Sequence, residues 1–101
     1  MEKLSGKQKR TLRATAHSFD PLFQIGKSGL NEAVLKEYEN ALERHELIKV
    51  SVLQNAPLSA KEAAQFIEEH SDITVVQVIG KVLVLFKRSS TEKYQKYSTL
   101  L

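Results

Sequence analysis

A chain of 101 residues, 42% hydrophobic and 27% charged, has the size and composition of one packed domain and lies outside the disordered and fibrous classes. It has no cysteine, which removes disulfide frameworks, thiolate metal sites and cysteine nucleophiles together and fits a cytoplasmic setting. The net charge of +3 is modest but uneven: residues 1–30 hold six basic and two acidic groups, residues 31–72 four and nine, and residues 73–101 five and one.

Two basic ends around an acidic middle suggest one surface built for phosphate, provided the ends meet in the fold. Among the first ten residues only Met1 and Leu4 are large and apolar, so no signal-peptide centre is expected. The most apolar stretch, Thr74 to Phe86, is interrupted by Gln77, Gly80 and Lys81 and is too short to span a bilayer. No membrane association is therefore expected.

In chain order, Ser5 to Ser18 reads as a first helix. At about 100° per residue, Lys3, Lys7, Arg10, Arg13 and His17 share one arc, while Leu4, Leu12 and Ala16 lie opposite. Charges on a helix commonly mark nothing more than a solvated face. Phe19-Asp20-Pro21 breaks the helix, since Pro21 disfavours helical geometry at Asp20. A short strand, Leu22 to Ile25, leads into Gly26-Lys27-Ser28-Gly29 and then a second helix opened by Leu30-Asn31-Glu32. Its apolar face is read as Val34, Tyr38, Ala41, Leu42 and His45, with Glu37, Glu39 and Glu43 on the outer surface. Leu47 to Leu53 is a strand with Ile48, Val50 and Val52 inward against Lys49 and Ser51. Ser59 and Glu62 form a capping box for a third helix with Ala63, Phe66, Ile67 and His70 on its core face. Ile73 to Ile79 and Val82 to Lys87 form a hairpin around Gly80-Lys81. The tail, 91–101, has no clear period and is expected to fray.

The order α-β-α-β-α-β-β indicates a single α/β domain over residues 1–90, with helices covering a small mixed four-stranded sheet. Phe19, Phe23, Tyr38, Phe66 and Phe86 fall on apolar sides and read as core.

The loop Gly26-Lys27-Ser28-Gly29 has the most distinctive chemistry. Glycines allow close backbone approach, the following helix start offers amide donors, and Lys27 adds a cation, together suggesting a phosphate-binding corner. A plain glycine turn fits the same four residues. A mononucleotide P-loop does not: the glycine required five residues before Gly26 is Pro21. A KH-type clamp also uses GxxG, but there the loop joins two helices, whereas a strand precedes it here. His17, His45 and His70 end successive helices, where imidazolium suits the helix terminus, and they lack metal-ligand spacing. No general acid and base pair is evident among the acidic residues. The expectation is a chain without catalytic residues, metal, cofactor or small-molecule substrate.

Several ordered blocks carry a family resemblance: Lys9-Arg10 through Leu12-Arg13, Ala16-His17, Gln24-Ile25-Gly26-Lys27 with Gly29-Leu30, His45 to Val50, and Val76 to Gly80. Together they resemble the CRM domain (chloroplast RNA splicing and ribosome maturation), whose free-standing bacterial form is the YhbY-type protein. The likeness runs from about Leu4 to Arg88, and the tail beyond matches nothing in it. It implies a fold similar to the C-terminal domain of translation initiation factor 3, RNA binding through a loop corresponding to Gly26, Lys27, Ser28 and Gly29, and association with rRNA of large-subunit precursors. The RNA surface expected from residues and resemblance together comprises that loop, Lys3, Lys7, Arg10 and Arg13 on the first helix, and Lys81, Lys87 and Arg88 from the hairpin. A monomer is expected. The alternative is a protein-interaction module that uses the acidic middle.

Overall fold

In the computed structural model, which describes residues 3–101, helix α1 spans Gly6–Ala16, strand β1 Phe23–Ile25, helix α2 Glu32–His45, strand β2 Leu47–Val52, helix α3 Ala60–His70, strand β3 Thr74–Ile79 and strand β4 Val82–Phe86. The sheet order is β1-β2-β4-β3. The β1–β2 pair is parallel and the other two are antiparallel, so the sheet is mixed, as the sequence predicts.

Local chemistry sets the helix starts. Ser59 Oγ accepts from the Glu62 amide at 3.1 Å while the Glu62 carboxylate accepts from the Ser59 amide at 2.8 Å, satisfying two donors that no helical carbonyl can reach. Ser5 and Gln8 repeat this reciprocal pair at 3.1 and 2.9 Å.

Strand β4 is interior and has both faces covered. Leu83 and Leu85 pack with Leu35, Tyr38 and Leu42 of α2 and with Ala60, Ala63 and Ile67 of α3. Val84 and Phe86 pack with Leu12 and Ala16 of α1 and with Leu47 and Val76. Alternation across the pleat thus feeds two cores, one on each side of the sheet, and explains the nearly continuous apolar run of this strand. In α2 the buried positions are Leu35, Tyr38 and Leu42. Leu35 takes the place that the sequence reading gave to His45, and both His45 and His70 are exposed, because each stands on the last helical turn beyond the sheet's cover.

The tail does not match the expectation of fraying. Residues Glu92–Tyr94 and Ser98–Leu100 form single 3₁₀ turns, and Tyr97 and Leu101 pack on the α1 side of the core. The cause is Glu46, a buried carboxylate. It accepts from the amides of Ser89 at 2.8 Å, Tyr97 at 2.8 Å and Ser98 at 2.9 Å, and from the Ser98 hydroxyl at 2.7 Å. Glu43 adds bonds from the Ser90 amide at 2.9 Å and the Thr91 hydroxyl at 3.3 Å. Part of the acidic middle is therefore spent inside the fold, holding the tail.

Candidate nucleic-acid interface

Strand β1 ends at Ile25, whose carbonyl accepts from the Leu53 amide at 2.9 Å. The chain then turns, the Gly29 amide donating to the Gly26 carbonyl at 3.0 Å, with Lys27 and Ser28 exposed at the two central positions. Gly29 has φ +68°, and a Cβ there would stand 3.0 Å from Pro57 Cγ. Its lack of a side chain thus permits both the positive φ and the close packing against the 53–58 segment. Gly26 is less restricted, a Cβ meeting Leu53 Cδ1 at an ordinary 3.7 Å. The start of α2 is also less open than expected: Asn31 Oδ1 accepts from the Val34 amide at 2.9 Å, and Glu32 occupies the first turn. The turn offers solvent the Lys27 ammonium and the Ser28 hydroxyl.

Lys81 lies at the same end of the sheet, because its carbonyl accepts from the Val52 amide at 2.7 Å, one residue before the bond from Leu53 to Ile25. Lys87 and Arg88 lie at the other end. The Lys87 amide donates to the Glu46 carbonyl at 3.0 Å, where β4 closes against the first residue of β2. The hairpin therefore does not present its three cations as one surface: β4 runs between Lys81 and Lys87. The Lys87 ammonium also faces Glu43, whose carboxyl is held below its ordinary range chiefly by the Ser90 amide, with the lysine a lesser contributor.

A second basic feature lies where α1 crosses the sheet. Arg10, Arg13 and His17 of α1, Lys49 of β2 and Gln77 and Ile79 of β3 line a groove of about 640 Å³, to which no carboxylate among the described residues contributes. Lys49 Nζ donates to the His17 carbonyl at 3.2 Å, fixing the lysine against the C-terminal end of α1. Lys3 and Lys7 are exposed before and on the first turn of the same helix. Sequence reasoning gave Arg10 and Arg13 to this surface and missed Lys49 and Gln77. The alternation of β2 placed Lys49 opposite Ile48 and Val50, but which neighbour stands on that face is a tertiary fact.

Every histidine closes a helix as expected: His17 is the C-cap of α1, and His45 and His70 are the last residues of α2 and α3. The His70 ring stacks on Phe66 at 4.3 Å. Among the described residues, no three His, Cys, Asp or Glu side chains are grouped so as to hold a metal ion, and no helix is long and apolar enough to cross a membrane.

Residues 4–87 match the CRS1/YhbY (CRM) domain family. The chain is 47% identical over 90 residues to the Bacillus subtilis protein named "Probable RNA-binding protein YqeI", covering 89% of this chain and 94% of that one. It is 41% identical over 95 residues to a Haemophilus influenzae protein named RNA-binding protein, covering 94% and 96%. The solution structure of SAV1595 from Staphylococcus aureus, a hypothetical protein proposed to bind RNA, superposes with a TM-score of 0.74 at 47% identity, covering 93% of this chain and 98% of that one. Matched by the family model over residues 4–87 and by these relatives over nearly its whole length, this chain belongs to the CRS1/YhbY (CRM) domain family.

Proposed function

We propose that this protein binds RNA by its sugar-phosphate backbone, using the groove beneath α1 together with the Lys27-Ser28 turn and Lys81. The observation that carries this reading is the convergence of Arg10, Arg13 and Lys49 in one groove that no carboxylate among the described residues lines. Cations gathered in one groove repel one another and are relieved by a polyanion, and relatives matching nearly the whole chain are named for RNA binding. Contacts to phosphate position the RNA and read little sequence, so selectivity on this reading comes from RNA shape.

The RNA is proposed to be rRNA of large-subunit precursors, with the protein acting in the cytoplasm as an assembly factor and without catalysis. The resemblance to the YhbY type supports this finer reading. Crosslinking the protein to RNA in cells and sequencing the attached fragments tests it. Enrichment of precursor rRNA is expected; recovery of mainly messenger RNA would overturn the ribosomal part.

A further inference from the structure

Beside the α1 groove lies a second pocket of about 410 Å³, between the 19–22 segment, the C-terminal end of α2 and the tail. Arg44, Lys49 and Lys96 bring cations to it, and Phe19 and Tyr97 supply an aromatic wall with ring centroids 5.8 Å apart. Asp20 is the acidic residue on its rim. Lys49 lines both this pocket and the α1 groove, so the two form one basic track. We infer that the tail pocket takes an unpaired nucleotide of the RNA whose backbone lies in the α1 groove. The inference rests on the RNA-binding reading and adds a site to it.

Three features support this occupant. The volume falls in the range of about 300–1,000 Å³ typical of sites for small organic groups. The Lys96 ammonium lies over the Tyr97 ring, 5.4 Å from its centre, so a phosphate that draws the lysine aside uncovers a face on which a base can stack. Arg44 is likewise steadied on the tail, 5.8 Å over the Tyr94 ring. An RNA strand is the ligand that brings repeated phosphates and flat apolar rings together, matching a track of cations that ends at aromatics. The tail, outside the matched segment 4–87, thereby becomes part of the interface, held in place by Glu46.

The test compares oligouridylates of about six and about fourteen nucleotides, lengths that bracket a single and an extended site, on the full chain. Arg44→Ala/Lys96→Ala is expected to weaken the longer oligomer about tenfold, as for two exposed charge contacts. Its salt slope should become shallower by about 1.4, with the shorter oligomer's affinity unchanged. Photocrosslinking with a terminal 5-iodouridine on the longer oligomer is expected to label Tyr97. Thermal unfolding run in parallel guards against loss of fold, and Lys96→Ala alone, whose ammonium has the Tyr97 ring as its partner, supplies a milder variant. Equal losses at both lengths would reduce the cations to a general field and overturn the pocket, as would parental affinity at both. If the parent binds neither oligomer nor structured rRNA, the RNA reading itself fails.

Discussion

The carboxylate of Glu46 receives both the amide and the hydroxyl of Ser98, at 2.9 and 2.7 Å, across more than fifty residues of sequence. Glu46 also stands at φ +63° as the left-handed C-cap of α2, where glycine is the usual residue. The strain of that conformation, on the order of 1–2 kcal/mol, is offset by four hydrogen bonds to a charged acceptor, each worth more than a neutral one. Glu46→Gln removes the charge and turns an amide donor toward donors of the tail. It should destabilise the domain by about 2 kcal/mol, a Tm fall of roughly 10 °C for a domain of this size. An unchanged melting curve would show that the tail contributes nothing to the fold.

The same carboxylate predicts an acid response. Burial pushes the Glu46 carboxyl up, but the amides of Ser98 and Ser89, the Ser98 hydroxyl and the Tyr97 amide outweigh it, and the net shift is downward. A lowered folded value contributes stability that is present above the unfolded carboxylate pKa, about 4.3, and is lost as pH falls through the folded value. Stability should therefore hold down to about pH 5 and decline below it. Glu46→Gln should flatten that decline, and urea midpoints collected across the range will show whether the two curves converge at low pH.

Tyr38 titrates at the other extreme. Its hydroxyl is buried without a hydrogen-bond partner, and burial, aided by Glu37, raises its pKa to about 12. The favoured neutral form contributes stability below the unfolded value near 10 that is lost as pH rises through about 12. Tyr38→Phe keeps the ring contact with Phe23 and removes an unsatisfied polar atom. It should leave stability unchanged or raise it by up to about 1 kcal/mol and abolish the alkaline loss. Marked destabilisation on chemical denaturation would mean the hydroxyl has a partner in solution.

In the turn, the two glycines should separate fold from binding. Gly29→Ala meets Pro57 and keeps a positive φ, so a loss of about 1–3 kcal/mol in stability is expected. Gly26→Ala, with ordinary contacts, should cost little. Lys27→Ala should leave Tm unchanged and weaken RNA by roughly 1 kcal/mol. If Gly29→Ala melts like the parent, the turn is looser than its geometry indicates.

RNA affinity should fall steeply with salt. About four to six phosphate contacts give a log–log slope on the order of −3 to −4 for single strands. Lys49→Gln and Arg10→Gln should each make it shallower by about 0.7, measurable by titration at several ionic strengths. A flat response in the parent would favour a protein partner instead.

The sequence alone determined the features that depend on near neighbours along the chain. The Ser59–Glu62 box, the alternation of Ile48, Val50 and Val52, the Gly80-Lys81 turn and the strand before Gly26 were legible because capping, pleating and tight turns act within a few residues. The mixed sheet followed from the order of those elements. Tertiary structure decided what each exposed or glycine position faces. Gly29 is silent about Pro57, Lys49 about the end of α1, and Lys81 and Lys87 about the length of strand that separates them. It also decided the fate of the tail, where a buried carboxylate at Glu46 supplies the acceptors that Tyr97 and Ser98 lack in their own segment. No local period encodes such a bond, since its two partners become neighbours only after α2 and the sheet have closed the distance between them.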